Sequence, residues 1–198
     1  MNGFHEVVNI LIEKGRFDVN VKLANNSSLL MISILYRHNK VTEILLEKGA
    51  DVNLISNDTT PLHLASWYGD LGTVKLLFEK GADPNVEVLT EKITPLYIAI
   101  MEGQVDVVDV LLKHGAYTNK VVYTNKSALH VAVEFSEIQV VKFLLEQKGL
   151  DINKKINEDL TLLHIASAIN NVEVVKCLVE KGADINIKDA TYDAEPII

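Results

Sequence analysis

The chain is poor in cysteine and in positive charge, and each shortage excludes something. One cysteine, Cys177, stands among 198 residues. A lone thiol cannot staple the fold with a disulfide. No ligating side chains cluster around it in sequence, which argues against a structural zinc site. Such sparing use of cysteine suits a reducing compartment. Lys and Arg number 19 against 27 Asp and Glu, a net charge of -8. With no basic cluster, nucleic acid and anionic membrane surfaces are disfavoured as partners. No apolar run is long enough to span a bilayer, so membrane insertion is not expected, and the N-terminus lacks a charged-then-apolar leader pattern. Glycine-rich phosphate loops, H-E-x-x-H and G-x-S-x-G are missing as well, so an enzymatic reading has no positive support. What remains is 48% hydrophobic and 23% charged, ample for a packed core and too apolar for a disordered chain.

What the chain does have is internal repetition. The segments GRFDVN, GADVN, GADPN, GAYTN, GLDIN and GADIN end at Asn20, Asn53, Asn85, Asn119, Asn153 and Asn186, in steps of 32 to 34 residues. Five heads precede the last five of these tails: SLLMIS from Ser28, TPLHLA from Thr60, TPLYIA from Thr94, SALHVA from Ser127 and TLLHIA from Thr161. Between head and tail come VTEILLEKGAD, TVKLLFEKGAD, VVDVLLKHGAY, VVKFLLEQKGLD and VVKCLVEKGAD. A constant period of this length marks a stack of supersecondary units, none of which can bury its apolar face alone.

The local physics of one unit is legible. Thr60 is placed to cap a helix, and Pro61 takes the first helical position, where its missing N–H has no cost. Leu62, Leu64 and Ala65 are expected to face inward. Small residues at Ser33, Ala65, Ala99, Ala132 and Ala166 would let neighbouring helices approach. Gly69 ends the first helix. A second follows, with Val74, Leu76, Leu77 and Phe78 as its apolar stripe, and Gly81 terminates it at the position after the cap.

The heads, tails and period together resemble the ankyrin repeat family, whose signature is T-P-L-H-x-A. The resemblance covers essentially the whole chain. It implies an all-α solenoid of helix–turn–helix units with β-hairpin or finger loops. On that reading residues 1–20 form a partial repeat, 21–53, 54–85, 86–119, 120–153 and 154–186 full repeats, and 187–198 the start of a further repeat or a C-terminal tail. An apolar helix through Val7, Val8, Ile10 and Leu11 opens the chain without a polar cap, and Glu195-Pro196-Ile197-Ile198 looks like a new head. Both features suggest a piece cut from a longer array, against the alternative of a degenerate half-repeat acting as a cap.

Candidate chemistry reduces to structure. His63, His130 and His164 occupy one slot in three units, three residues after a Thr or Ser. In the family this histidine bonds to the Thr hydroxyl and nearby backbone. Three residues spread along a stack do not converge as metal ligands. Tyr97 and Met31 fill the slot in two other units and should lose that bond. His114 sits near a helix C-terminus, where a cation is mildly favoured, whereas His5 and His38 show no partner pattern. Cys177 takes a place where other units carry Leu, Val, Ile or Phe and reads as a small buried apolar side chain. Glu47, Glu79, Asp106, Glu146 and Glu180 read as solvated outer faces. No catalytic residue, metal or cofactor is expected.

The informative positions are those that vary. In ankyrin repeats the end of the first helix and the finger tips line the concave side, where partners dock. The first set here is Leu35 and Tyr36, Trp67 and Tyr68, Met101 and Glu102, Glu134 and Phe135, and Ala168 and Ile169. Trp67 is the only tryptophan, and such a row is unusually aromatic for positions left outside the stack. The finger set includes Ile55, Asn57, Glu87, Leu89, Thr90, Ile93, Val121, Tyr123, Lys126, Lys155, Asn157 and Glu158, with Leu89 and Tyr123 as its anchors. The finger between Asn85 and Thr94 is one residue longer than the two that follow, a special contact or a tolerated insertion. The resemblance thus implies a monomeric scaffold for another protein, with Tyr36, Trp67, Tyr68, Leu89, Met101, Glu102, Tyr123, Glu134, Phe135 and Ile169 as contacts. The alternative is the targeting region of a larger effector, toxin or enzyme. The Asn-, Lys- and Ile-rich composition looks like an AT-rich genome. A cytoplasmic location, or delivery into a host cytoplasm, is expected on either reading.

Overall fold

The computed structural model describes residues 10, 18–23, 26–88, 92–118, 126–147, 150–156 and 160–188. Among the described residues, five consecutive pairs of helices stand out: α1 Leu29–Leu35 with α2 Asn39–Glu47, α3 Pro61–Trp67 with α4 Leu71–Glu79, and α5 Pro95–Met101 with α6 Val105–Lys113. The fourth pair is α7 Ala128–Glu134 with α8 Ile138–Leu145, and the fifth is α9 Leu162–Ala168 with α10 Val172–Glu180. The first helices of successive pairs pack on one another, and so do the second helices. The result is a two-layered all-α solenoid.

Every first helix starts the same way. Ser28, Thr60, Thr94, Ser127 and Thr161 adopt extended backbone, and each hydroxyl accepts from the N–H three residues on. That satisfies one of the donors a helix start leaves open. Pro61 and Pro95 occupy the first helical turn, as their head motifs require. These helices have only seven residues each, too short to persist alone, so stacking holds them.

The core runs the length of the stack. Leu62, Ala65, Val74 and Leu77 of the second pair are buried, as are Leu96, Ala99, Ile100, Val107, Val108 and Leu111 of the third. Ala65, Ala99, Ala132 and Ala166 have no exposed surface, because helices approach across them. Ser33 fills the same slot in the first pair; its hydroxyl lies 2.8 Å from both the Leu30 carbonyl and the Thr42 hydroxyl. Leu64, Leu76 and Phe78, expected to face inward, are only partly buried and pack on the core's margin. The remaining surface of Phe78 is used between units: its ring stacks on His114 at 4.1 Å and 7°.

The turn inside each pair is left-handed, at Arg37, Gly69, Gly103, Ser136 and Asn170. Two of these are glycines for a second reason. A Cβ at Gly69 would overlap the Gln104 side chain, and one at Gly103 would overlap Glu137. Long side chains from the next unit lie over the bare backbone. Asp70 and Asn171, for which the turn of the preceding unit is Arg37 or Ser136 rather than glycine, instead fold back and accept from the N–H of Thr73 and Val174 at 3.1 Å. Residue size at one turn is therefore matched to residue type in the following unit.

Beyond the second helices, single antiparallel bridges close the fingers: Lys22 with Ser28, Ser56 with Thr59, Val88 with Ile93 and Ile156 with Leu160. The terminal asparagines of several tails link units. Asn53 donates to the Gly81 carbonyl at 3.0 Å and accepts from the Asp83 N–H at 2.9 Å. Asn85 repeats this with Gly115 and Tyr117, and Asn20 with Gly49 and Asp51. The preceding aspartates, Asp51 and Asp83, accept from the N–H groups of Asn53 and Asn85 at 2.9 Å, fixing the turn from which the asparagine reaches out.

Candidate functional site

The histidines are structural in place and partner. His63 is 1% exposed. Its Nδ1 lies 2.7 Å from the Thr60 hydroxyl and its Nε2 3.2 Å from the Ile93 carbonyl of the next finger. A carbonyl only accepts, so Nε2 carries the proton and Nδ1 accepts from the hydroxyl. Burial lowers the pKa of His63 from 6.5 to about 4, and the ring is neutral at pH 7. His130 repeats the pattern with Ser127 and the Lys154 carbonyl, its pKa also lowered mainly by burial. His164 lies 2.8 Å from the Thr161 hydroxyl. Each ring fixes its own cap, and His63 and His130 also grip the following finger. His114 donates from Nδ1 to the Val110 carbonyl at 2.8 Å. His38, for which no sequence pattern gave a partner, lies 6.3 Å from the Tyr36 ring.

Cys177 is buried and burial raises its thiol pKa, the reverse of what activates a nucleophile. Glu47, Glu79, Asp106, Glu146 and Glu180 are exposed. Among the described residues, no three His, Cys, Asp or Glu side chains gather as a metal cluster.

The positions left over by stacking form a row at the C-terminal ends of α1, α3, α5, α7 and α9. Tyr36, Tyr68, Glu102, Phe135 and Ile169 are the C-caps of those helices. Trp67, Met101 and Glu134 are the last helical residues before the middle three of these caps. Tyr36 is 65% exposed, Trp67 49%, and Phe135 and Ile169 39% each. Tyr68 and Met101 are half-buried, while Glu102 and Glu134 are exposed. Leu89 and Tyr123 lie outside the described residues, as do Thr90, Val121, Asn157 and Glu158.

One member of this surface was missed in the sequence. Tyr97 replaces the structural histidine, and its ring meets Phe135 edge-on at 6.0 Å and 84°. Burial, and secondarily the charge of Glu134, raises its hydroxyl pKa. Glu134 in turn pairs with Lys126 at 2.6 Å. Tyr97 therefore joins Glu134 and Phe135 across a unit boundary. The only signal was the break in the histidine slot, which by itself says that a bond is lost, not where the new ring points. Tyr117 was also missed. It stands where most tails carry aspartate and is 68% exposed.

Comparison with known proteins agrees with this architecture. The family model described as "Ankyrin repeats (3 copies)" matches residues 1–88, 86–156 and 124–189. The chain is 37% identical over 78 residues to the palmitoyltransferase Hip14 of Drosophila melanogaster, a match covering 38% of this chain and 12% of that protein. Across the curated relatives the matched part is between 6% and 22% of their length, so the chain corresponds to a small portion of each. Among solved structures it is similar to the human ASB11 ankyrin repeat domain. That match has a TM-score of 0.79 and 28% identity, over 96% of this chain and 88% of that one. It also shares its fold with the ankyrin repeat domain of Bcl-3, with a TM-score of 0.82 and 24% identity, over 97% and 85% of the two chains. Among the described residues no helix is long and apolar enough to cross a membrane.

Proposed function

The chain belongs to the ankyrin repeat family, whose repeats are protein-binding modules, and on that premise we propose that it is a non-catalytic scaffold receiving a partner protein on its concave face and finger tips. One observation carries the proposal: a row of aromatic and apolar side chains that stacking does not use. Trp67, 49% exposed at the end of α3, is its largest ring. A half-exposed tryptophan among other exposed apolar groups costs solvation in the free protein and is recovered when a partner covers it. Tyr36, Tyr68, Met101, Phe135 and Ile169 extend the row in both directions. Leu89 and Tyr123 are proposed as finger contacts on the sequence alone.

The test is a Trp67→Ala, Tyr68→Ala double variant compared with wild type in a pull-down from lysate. Both residues lie at the end of a helix rather than in the core, so circular dichroism should be nearly unchanged. An aromatic anchor of this kind contributes about 2 kcal/mol or more, about thirtyfold in affinity, so the affinity of the double variant should fall by at least that factor. Equal recovery by a folded variant would refute the site.

A second reading keeps the same surface but makes it the targeting region of a larger enzyme, toxin or effector. It is favoured by the match to 12% of a palmitoyltransferase and 6% of a Delta-latroinsectotoxin-Lt1a. The full open reading frame distinguishes the two.

A further inference from the structure

We propose that the centre of the aromatic row receives a short basic and apolar peptide segment of the partner, with an arginine of that segment held at Glu102. The inference rests on the scaffold reading and adds the chemistry of the occupant.

Three adjacent units place Tyr68, Glu102 and Phe135 at the same C-cap position. One exposed carboxylate thus stands in the unit between two aromatic rings. The last helical residues beneath them are Trp67, Met101 and Glu134. Glu134 is matched by Lys126 at 2.6 Å. The carboxylate of Glu102 has no ion pair or hydrogen bond among the described residues, and that of Glu137, in the following turn, has no ion pair among them either. The unpaired charge around the centre of the row is therefore negative, as is the chain as a whole at -8.

This pattern selects its occupant by charge and shape. A guanidinium is planar, stacks on aromatic faces and donates a fork of hydrogen bonds to a carboxylate. An arginine that bonds Glu102 can lay its plane on a neighbouring ring, and apolar side chains on either side meet Trp67, Met101 and Phe135. An acidic segment would set like charges against Glu102 and Glu137. Nucleic acid fails for the same reason.

The experiment uses the full chain and a displayed library of random twelve-residue peptides, followed by fluorescence anisotropy with the recovered peptides. Recovered sequences should be enriched in arginine flanked by apolar residues. Glu102→Lys should weaken them about fivefold to tenfold, Glu102→Gln less, and affinity should fall as salt rises. Trp67→Ala with Tyr68→Ala should weaken them more strongly. Circular dichroism and urea midpoints confirm that the exposed Glu102 variants remain folded. If recovered peptides depend on Trp67 and Tyr68 but are neutral or acidic, or are indifferent to Glu102→Lys, the arginine inference is overturned and the site stands. If no peptide is recovered, or the peptides ignore Trp67 and Tyr68, the site itself is wrong and the inference falls with it.

Discussion

Acidification should loosen this stack through His63, by an amount that the structure sets. In the folded chain the ring has one proton, on Nε2, donated to the Ile93 carbonyl, while Nδ1 accepts from Thr60. A second proton on Nδ1 would face a hydroxyl that must turn its own hydrogen away, and the charge would sit at a site with 1% exposure. The folded pKa is thus lowered, from 6.5 to about 4. A depressed histidine pKa means that the unfolded chain binds more protons below pH 6.5. Stability is therefore fully present above pH 6.5, is lost as pH falls from there towards 4, and levels off below. Integrated from pH 8 to pH 5, the loss from this one residue is about 2 kcal/mol, and the complete loss about 3 kcal/mol. The assay is urea unfolding followed by circular dichroism at pH 8, 7, 6 and 5, on wild type and His63→Gln. Glutamine removes the titration while keeping a polar group in the slot. It will lower stability at pH 8, so the quantity compared is the change between pH 8 and pH 5, in which the carboxylates and other histidines are common to both proteins. The variant should lose about 2 kcal/mol less than wild type over that interval. Equal losses would show that His63 is charged in the folded state, or free to reach water, and the argument for its structural role would fail.

Two further outcomes test the stack itself. Asn53→Ala removes a hydrogen bond to the Gly81 carbonyl and another from the Asp83 N–H. Both are solvent-accessible, so the expected cost is about 1 to 2 kcal/mol in urea unfolding, with no effect on peptide binding at the row. Ser66 is fully buried and its hydroxyl has no hydrogen-bond partner among the described residues, whereas in the same slot three other units carry Ile34, Ile100 and Val133 and the fifth carries Ser167, which donates to the Leu163 carbonyl at 2.7 Å. Ser66→Ala should therefore stabilise the protein, by about 1 kcal/mol in the same assay; destabilisation would reveal a bond that the geometry does not show.

Much of the fold was written in one dimension, because every unit meets only its neighbours. A head such as TPLHLA specifies a cap, a helix start and a buried face within six residues, and the structure places Thr60, Pro61, Leu62 and Ala65 in those roles. The same locality made the histidines legible as structural groups: ring and hydroxyl are three residues apart on one turn. Sequence reasoning was weakest at the margins of the stripes, where Leu64, Leu76 and Phe78 looked like full core positions. Burial there depends on how far the adjacent unit overhangs, which no single repeat encodes.

The sequence by itself determined the all-α solenoid, the period, the caps and the positions that stacking leaves free. Only the tertiary structure decided what those free positions become. It set Tyr97 edge-on to Phe135 across a unit boundary, laid Gln104 and Glu137 over Gly69 and Gly103, and paired Glu134 with Lys126 while leaving Glu102 without an ion pair among the described residues. The reason is the range of the interactions. A cap or an apolar stripe is fixed by residues within a turn or two of each other, whereas a surface is assembled from side chains about 33 residues apart in sequence. Their contacts follow from the geometry of the stack rather than from any pattern along the chain.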